Sequence, residues 1–158
     1  KAVVLDCWKR RIGLRTMTMH REKDAYGESF CHEVNGVKIF AMGADYIPED
    51  NILSRCSEER TRVLLERCVF ANFNAIRVWG GGIYPEDYFF DICDELGIMV
   101  WQEFPLACNN YVNDPHYLEI LEQEATCIVK NLRKHPSLVL WCGGNDRNPV
   151  CRNENILR

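Results

Sequence analysis

The chain has 158 residues, a formal net charge of −4, 47% hydrophobic and 27% charged residues, which is a globular composition. No apolar run approaches the ~18 residues that cross a bilayer. Acidic and basic residues are mixed with no long basic block, so neither a membrane span nor nucleic-acid binding through phosphate neutralisation is expected.

The first twenty residues read as extended. Ala2-Val3-Val4-Leu5 is an apolar strand run and Ile12 to Met19 alternates, with Lys9, Arg10 and Arg11 as a solvated strand end. Residues 1–27 are therefore assigned to the end strands of a preceding sheet domain or a lead-in, and 28–158 to the main domain. Phe30–Val34 and Val37–Phe40 flank Asn35-Gly36, the pair that supplies φ > 0 twice for a type I′ hairpin turn. Ile39 to Met42 is predicted to run on as a buried strand ending near Asp45.

Strand and helix then alternate. Ser57 caps a helix with Glu58 and Glu59 in its first turn, where the dipole favours acids; Leu64, Cys68 and Ala71 share its predicted inner face. Ala75 to Trp79 is a short strand, followed by Gly80-Gly81-Gly82. Pro85 opens a second helix, lined by Phe89, Ile92, Cys93 and Leu96 and stopped by Gly97. Ile98 to Trp101 is a third strand. Asp114-Pro115 starts a long helix with Leu118, Leu121, Ala125, Ile128, Val129 and Leu132 inside, and Leu138 to Cys142 is the fourth strand.

Four near-continuous apolar strands separated by helices imply a parallel sheet in an α/β fold. Periodicity does not separate a doubly wound sheet from part of a (β/α)8 barrel. The strand ends favour the barrel: Asp45, Arg77 with Trp79, Gln102 with Glu103, and Asn145 with Asp146 each lie at or just past a carboxyl end. A barrel brings all such ends to one rim, whereas an open sheet joins only those beside its switch point.

Asp146 at that rim can act as a general acid if an apolar surround or a second carboxylate raises its pKa, and Asn145 beside it can bond a sugar hydroxyl; alternatively the pair caps the next turn. Arg77 sits among apolar neighbours and needs an acidic partner. It either holds a catalytic carboxylate ionised at the barrel mouth or makes a structural ion pair. Trp79, Trp101 and Trp141 lie near strand ends, where at most two serve as sugar contacts and the remainder pack the core. Glu103 either accepts hydrogen bonds from substrate hydroxyls or pairs with Arg77. The glycine run lacks the flanking pattern of a phosphate loop. The four histidines are scattered and none is read as a metal ligand. The nine cysteines show neither a CxxC pair nor zinc spacing; Cys68, Cys93 and Cys127 read as small hydrophobes, and a reducing compartment is expected.

The stretches Asn35-Gly36 with Ile39 to Pro48, Asn74 to Tyr84, Cys93 to Ile98 with Val100 to Phe104, and His135-Pro136-Ser137 with Leu140 to Asp146 together resemble family 2 glycoside hydrolases, and within them the β-mannosidase branch. Ile12-Gly13-Leu14-Arg15 is similar to the last strand of the immunoglobulin-like domain that precedes the barrel in this family. The resemblance implies the first four βα units of a (β/α)8 TIM barrel, preceded by a β-hairpin and the end of an immunoglobulin-like domain. It also implies a retaining hydrolase that removes terminal β-linked mannose from an oligosaccharide or glycoside, with no metal and no cofactor. By position, Asp146 falls on the acid/base, Asn145 on the residue that binds the 2-hydroxyl, Arg77 on the partner of the nucleophile, and Trp79 and Glu103 on the wall of the sugar site.

Two departures stand out. The family pattern has Glu where this chain has Asp146, a carboxyl retreat of ~1.5 Å. The exo-β-glucosaminidase branch uses Asp there, which keeps that substrate, or a catalytically dead sugar-binding relative, as the alternative. The family's usual Asn is also replaced by Asp45. Further, no glutamate up to Arg158 matches the expected nucleophile, so the chain alone is expected to be inactive. The open edges of a half barrel invite self-association.

Overall fold

The computed structural model describes residues 3–145. Among these residues seven strands form two sheets, accompanied by three α-helices. The first sheet is antiparallel and comprises β1 (Met17–His20), β2 (Cys31–Val34) and β3 (Val37–Ile39). Asn35 and Gly36 take φ of 51° and 77° between β2 and β3, the left-handed pair that the Asn-Gly turn was expected to supply. Because Met17 to His20 pairs with Val34 to Cys31, the small sheet straddles residue 27. Val3, Val4 and Leu5 form no ladder and stay exposed, so the strand expected at Ala2–Leu5 is not present among the described residues; an extended run without a partner has nothing to bond its backbone.

The second sheet holds β4 (Gly43–Tyr46), β5 (Ala75–Val78), β6 (Met99–Glu103) and β7 (Leu138–Cys142), all parallel and in chain order. Sequential order is what the opening half of a barrel requires, and a doubly wound sheet would break it at the switch point. Helices α1 (Glu58–Phe70), α2 (Asp87–Leu96) and α3 (Pro115–Leu132) supply the crossovers. Ile76, Val78, Val100 and Leu138 face the helices and pack with Leu65, Phe89, Phe90, Ile92, Cys93 and Leu132. On the opposite face, Ala75, Arg77, Met99, Trp101 and Val139 line a hollow of about 210 Å³, with His32 of β2 reaching into it. A bulge in β7 at Val139 shifts the register between Val100 and Trp101.

The local rules held at three helix ends, but Pro85 precedes α2 rather than opening it, since Glu86 is the N-cap and the helix begins at Asp87. Ser57 Oγ accepts from Arg60 N–H, Asp114 Oδ1 accepts from His116 and Tyr117 N–H, and Gly97 closes α2 with φ 72°. Three further expectations are corrected. The first barrel strand begins at Gly43 rather than within Ile39–Met42, because the Asn74 side chain claims that stretch: its Oδ1 accepts Met42 N–H and its Nδ2 donates to Phe40 C=O. In α1 the buried positions are Thr61 and Leu65, while Leu64 is 37% exposed; Cys68 packs against the core as predicted, but Thr61 and Leu65 share its face in place of Leu64 and Ala71. Cys127 is exposed and α3 buries fully only Leu132, so its apolar stripe is half covered.

The lead-in crosses the amino-terminal end of the parallel strands. Arg15 donates to Pro136 C=O at 2.9 Å and Leu138 C=O at 2.8 Å, and Arg11 pairs with Glu95 at 2.9 Å. Gly13 passes so close to Pro136 that any Cβ would overlap the ring.

Candidate active site

Register builds the centre of the site. Asp45, Arg77 and Trp101 are lateral neighbours across β4, β5 and β6, so their side chains emerge on one face in one layer. The Arg77 guanidinium lies over the Trp101 ring, 5.7 Å from its centroid, a cation–π distance. Its Nη1 reaches both Asp45 oxygens at 3.3 and 3.2 Å. Glu103, two residues beyond Trp101 on the same face, accepts Arg77 Nε–H at 2.8 Å on Oε1, and the same oxygen forms an ion pair with Nη2 at 2.6 Å. Arg77 Nη2 also donates to Asn145 Oδ1. Burial opposes the charge on Arg77, but the hydrogen bond and charge of Glu103, helped by Asp45, outweigh it and hold its pKa above the ordinary value.

The three consecutive glycines serve space, not φ, since none has a positive φ. A Cβ on Gly80 would overlap Phe104 C=O, one on Gly81 would overlap the Trp79 ring, and one on Gly82 would come within 2.9 Å of Pro48. Trp79 is thereby folded over its own loop, half-buried at the carboxyl end of β5. Its backbone is fixed by its N–H to Tyr46 C=O at 3.0 Å. Trp141 packs on the core and stacks on Phe104 at 5.2 Å.

Asn145 is 7% exposed. Its N–H donates to Leu106 C=O at 2.9 Å, its Nδ2 points to Cys108 Sγ at 3.8 Å, and it bridges Ala107 in parallel. Tyr111 OH accepts Ala107 N–H at 2.8 Å and donates to Ala107 C=O at 3.1 Å, so the loop after β6 braces the end of β7. Gly144, φ 150°, is required there because a Cβ would meet Leu106 C=O at 2.5 Å.

Of the residues singled out from sequence, Arg77, Glu103 and Asn145 form one connected cluster and Trp79 stands beside it on the next turn of chain. Asp146 lies outside the described residues. Asp45 was visible at the rim but not assigned to the site; it is the second carboxylate on Arg77. The Gly80 N–H, Cys108 and Tyr111 had no sequence signal, because backbone donors and loop braces depend on which segments the fold brings together. A groove of about 780 Å³ lies outside β4 against α1; it shares Asp45 but none of the Arg77 cluster's other members. No helix among the described residues is long and apolar enough to cross a membrane.

The sequence model of glycosyl hydrolases family 2, TIM barrel domain, matches residues 34–157. The chain belongs to this family. Among curated proteins it is similar to β-mannosidase B of Aspergillus terreus, 46% identical over 147 residues, which are 93% of this chain and 17% of that protein. Among solved structures it resembles the β-D-mannosidase of Dictyoglomus thermophilum, with TM-score 0.87 and 43% identity over 96% of this chain and 20% of the other. The exo-chitosanase CsxA of Amycolatopsis orientalis, 23% identical over 82% of this chain and 15% of the other with TM-score 0.67, shares the fold. The chain thus spans about a sixth of the length of the curated relatives it matches, and the four strands in chain order are a partial family 2 barrel.

Proposed function

We propose that these residues form the acid/base half of a retaining exo-glycosidase that removes terminal β-linked mannose from glycans. The observation that carries the reading is the Arg77 cluster: four parallel strands in chain order place Asp45, Arg77, Glu103 and Asn145 at one mouth, where barrel enzymes hold their chemistry. The 46% identity to a β-mannosidase B supports mannose as the sugar.

Asp146 would protonate the leaving oxygen and later activate water, Asn145 would bond the 2-hydroxyl, Arg77 would partner the nucleophilic carboxylate, and Trp79 would wall the sugar. The resemblance also places Glu103 on that wall, but its buried pairing with Arg77 favours the ion-pair alternative. Arg77 is engaged at all three nitrogens, Nε and Nη2 by Glu103 and Asn145 and Nη1 by Asp45. The mechanism calls for no metal and no cofactor. Retaining hydrolysis needs two carboxyl groups about 5–5.5 Å apart, and no glutamate in the sequence matches the family's nucleophile motif. The 158 residues alone are therefore expected not to hydrolyse an aryl β-mannoside; turnover by the purified chain would refute this.

The positive test is a graft. Residues 34–157, exchanged for the matching segment of the Dictyoglomus thermophilum β-D-mannosidase, should give measurable hydrolysis of an aryl β-mannoside that rises on Asp146→Glu. Asp at this position specifically favours a second reading, an exo-β-glucosaminidase. Faster hydrolysis of an aryl β-glucosaminide than of the mannoside by the graft would select it, and no hydrolysis even with Asp146→Glu would select a sugar-binding relative without catalysis.

Residues 1–27 are proposed to close a preceding immunoglobulin-like domain; exposed Val3, Val4, Leu5 and Trp8 are the apolar surface such a domain would cover. The scattered cysteines support a reducing compartment.

A further inference from the structure

Glu103 holds its carboxylate where water does not reach, with 1% of the side chain exposed. Oε1 accepts Arg77 Nε–H at 2.8 Å and forms an ion pair with Nη2 at 2.6 Å, and Oε2 takes the Gly80 N–H at 2.9 Å. The side chain spans from the end of β6 to β5 and the glycine loop behind it. Gly80 permits this approach: a Cβ there would stand 3.3 Å from Glu103 Cβ and 3.4 Å from Oε2, besides overlapping Phe104 C=O. A sugar hydroxyl could reach this carboxylate only by displacing Arg77 or Gly80.

We infer that Glu103 is a positioning residue and makes no contact with sugar. Two nitrogens of one guanidinium edge held against a single carboxylate oxygen, one by a hydrogen bond and one by an ion pair, fix the plane of Arg77. The plane so fixed aims Nη2 at Asn145 Oδ1 and Nη1 at Asp45. Asn145 is in turn oriented: its Oδ1 is occupied by Arg77, so its Nδ2, held near Cys108 Sγ at 3.8 Å, is the amide end left to donate. One buried carboxylate thereby sets two groups of the rim, and the glycine run is the reason it can. The positioning stands on geometry alone; only its use on a glycoside rests on the function proposed above.

The test reads the Arg77 Nε–H and the Asn145 side-chain amide by NMR in the 158-residue chain, with Arg77→Lys identifying the first signal. Glu103→Gln should speed Arg77 Nε–H exchange about tenfold, the equivalent of one charge-assisted hydrogen bond weakened, and shift the Asn145 amide. Glu103→Asp, which keeps the charge, should displace the signal while retaining most of the protection. Leu65→Ala serves as the control for general destabilisation, because it should raise exchange across the core without singling out Arg77. Unchanged Arg77 and Asn145 signals in Glu103→Gln would overturn the inference. If Glu103→Gln does not fold, Glu103→Asp decides: an undisplaced Arg77 signal overturns it. In the graft, Glu103→Gln should lower kcat about 10- to 100-fold with KM within about threefold, and a raised KM at unchanged kcat would instead make Glu103 a sugar contact. A graft inactive on every glycoside would remove the proposed function and leave the NMR result standing.

Discussion

Arg77 and Asn145 are 68 residues apart in the chain and lie on β5 and at the end of β7, with β6 between them, yet their side chains are directly hydrogen-bonded. Arg77 spans the intervening strand by lying across Trp101 and anchoring on Glu103. Removing the guanidinium leaves a buried carboxylate without its cation. Arg77→Met should cost roughly 2–4 kcal/mol in urea unfolding, at the lower side of buried-pair losses because Arg77 is partly solvated. Arg77→Lys should recover about a third to a half of that, since one ammonium cannot serve both Glu103 and Asn145.

The backbone beneath Asn145 is equally constrained. Gly144→Ala places a Cβ against Leu106 C=O at 2.5 Å on a residue with φ 150°, so the segment must move and carry Asn145 off Arg77. A displacement of ~1 Å predicts about a 10²-fold loss of glycoside hydrolysis in the graft. Retention of full activity would show that the close approach at Leu106 does not place Asn145.

The phase of α1 is decided by two adjacent leucines. Leu65 is fully buried and Leu64 is 37% exposed. Leu65→Ala should destabilise by about 2–4 kcal/mol as a cavity forms, and Leu64→Ala by less than about 1 kcal/mol. Reversed values in chemical denaturation would restore the face read from periodicity.

At the opposite end of the strands, Asp94 ties α2 to the start of β7. Its Oδ2 meets His135 Nδ1 at 2.8 Å and its Oδ1 accepts Ser137 N–H at 2.8 Å. Burial works against ionisation of Asp94, but the hydrogen bonds from His135 and Ser137 prevail and hold its pKa below the ordinary carboxylate value. A depressed folded value means that the unfolded chain takes up the proton first as the solution is acidified. The stabilisation is therefore complete above the ordinary carboxylate range and is lost as pH falls through the folded pKa. Asp94→Asn should lower stability at pH 7 by roughly 1–3 kcal/mol and flatten the thermal midpoint against pH on the acid side. An unchanged acid slope would count against the clamp.

Among the described residues, β4 pairs with β5 alone and β7 with β6 alone. Phe40, Met42 and Ile47 are exposed near the β4 edge, and Val63 and Leu64 line the groove beside it. Such edges favour association. The isolated chain should show a concentration-dependent mass in light scattering, and a lysine at Ile47 should reduce it; a constant monomer mass would contradict the expectation.

Part of what depends on a few adjacent residues was legible in the sequence. The Asn35-Gly36 turn, the Ser57 and Asp114 caps, the Gly97 stop and the four apolar runs rest on local φ preference, cap chemistry and burial, and Arg77, Glu103 and Asn145 were recognisable as polar residues at strand ends. The tertiary structure alone decided where those side chains turn. Asn74, reaching back 32 residues to Met42, moved the start of the first barrel strand. Gly80, 23 residues before Glu103, drew that carboxylate into the protein. A side chain's partner is set by which strands become neighbours and in what register, and that information is spread across the chain rather than held at any one position.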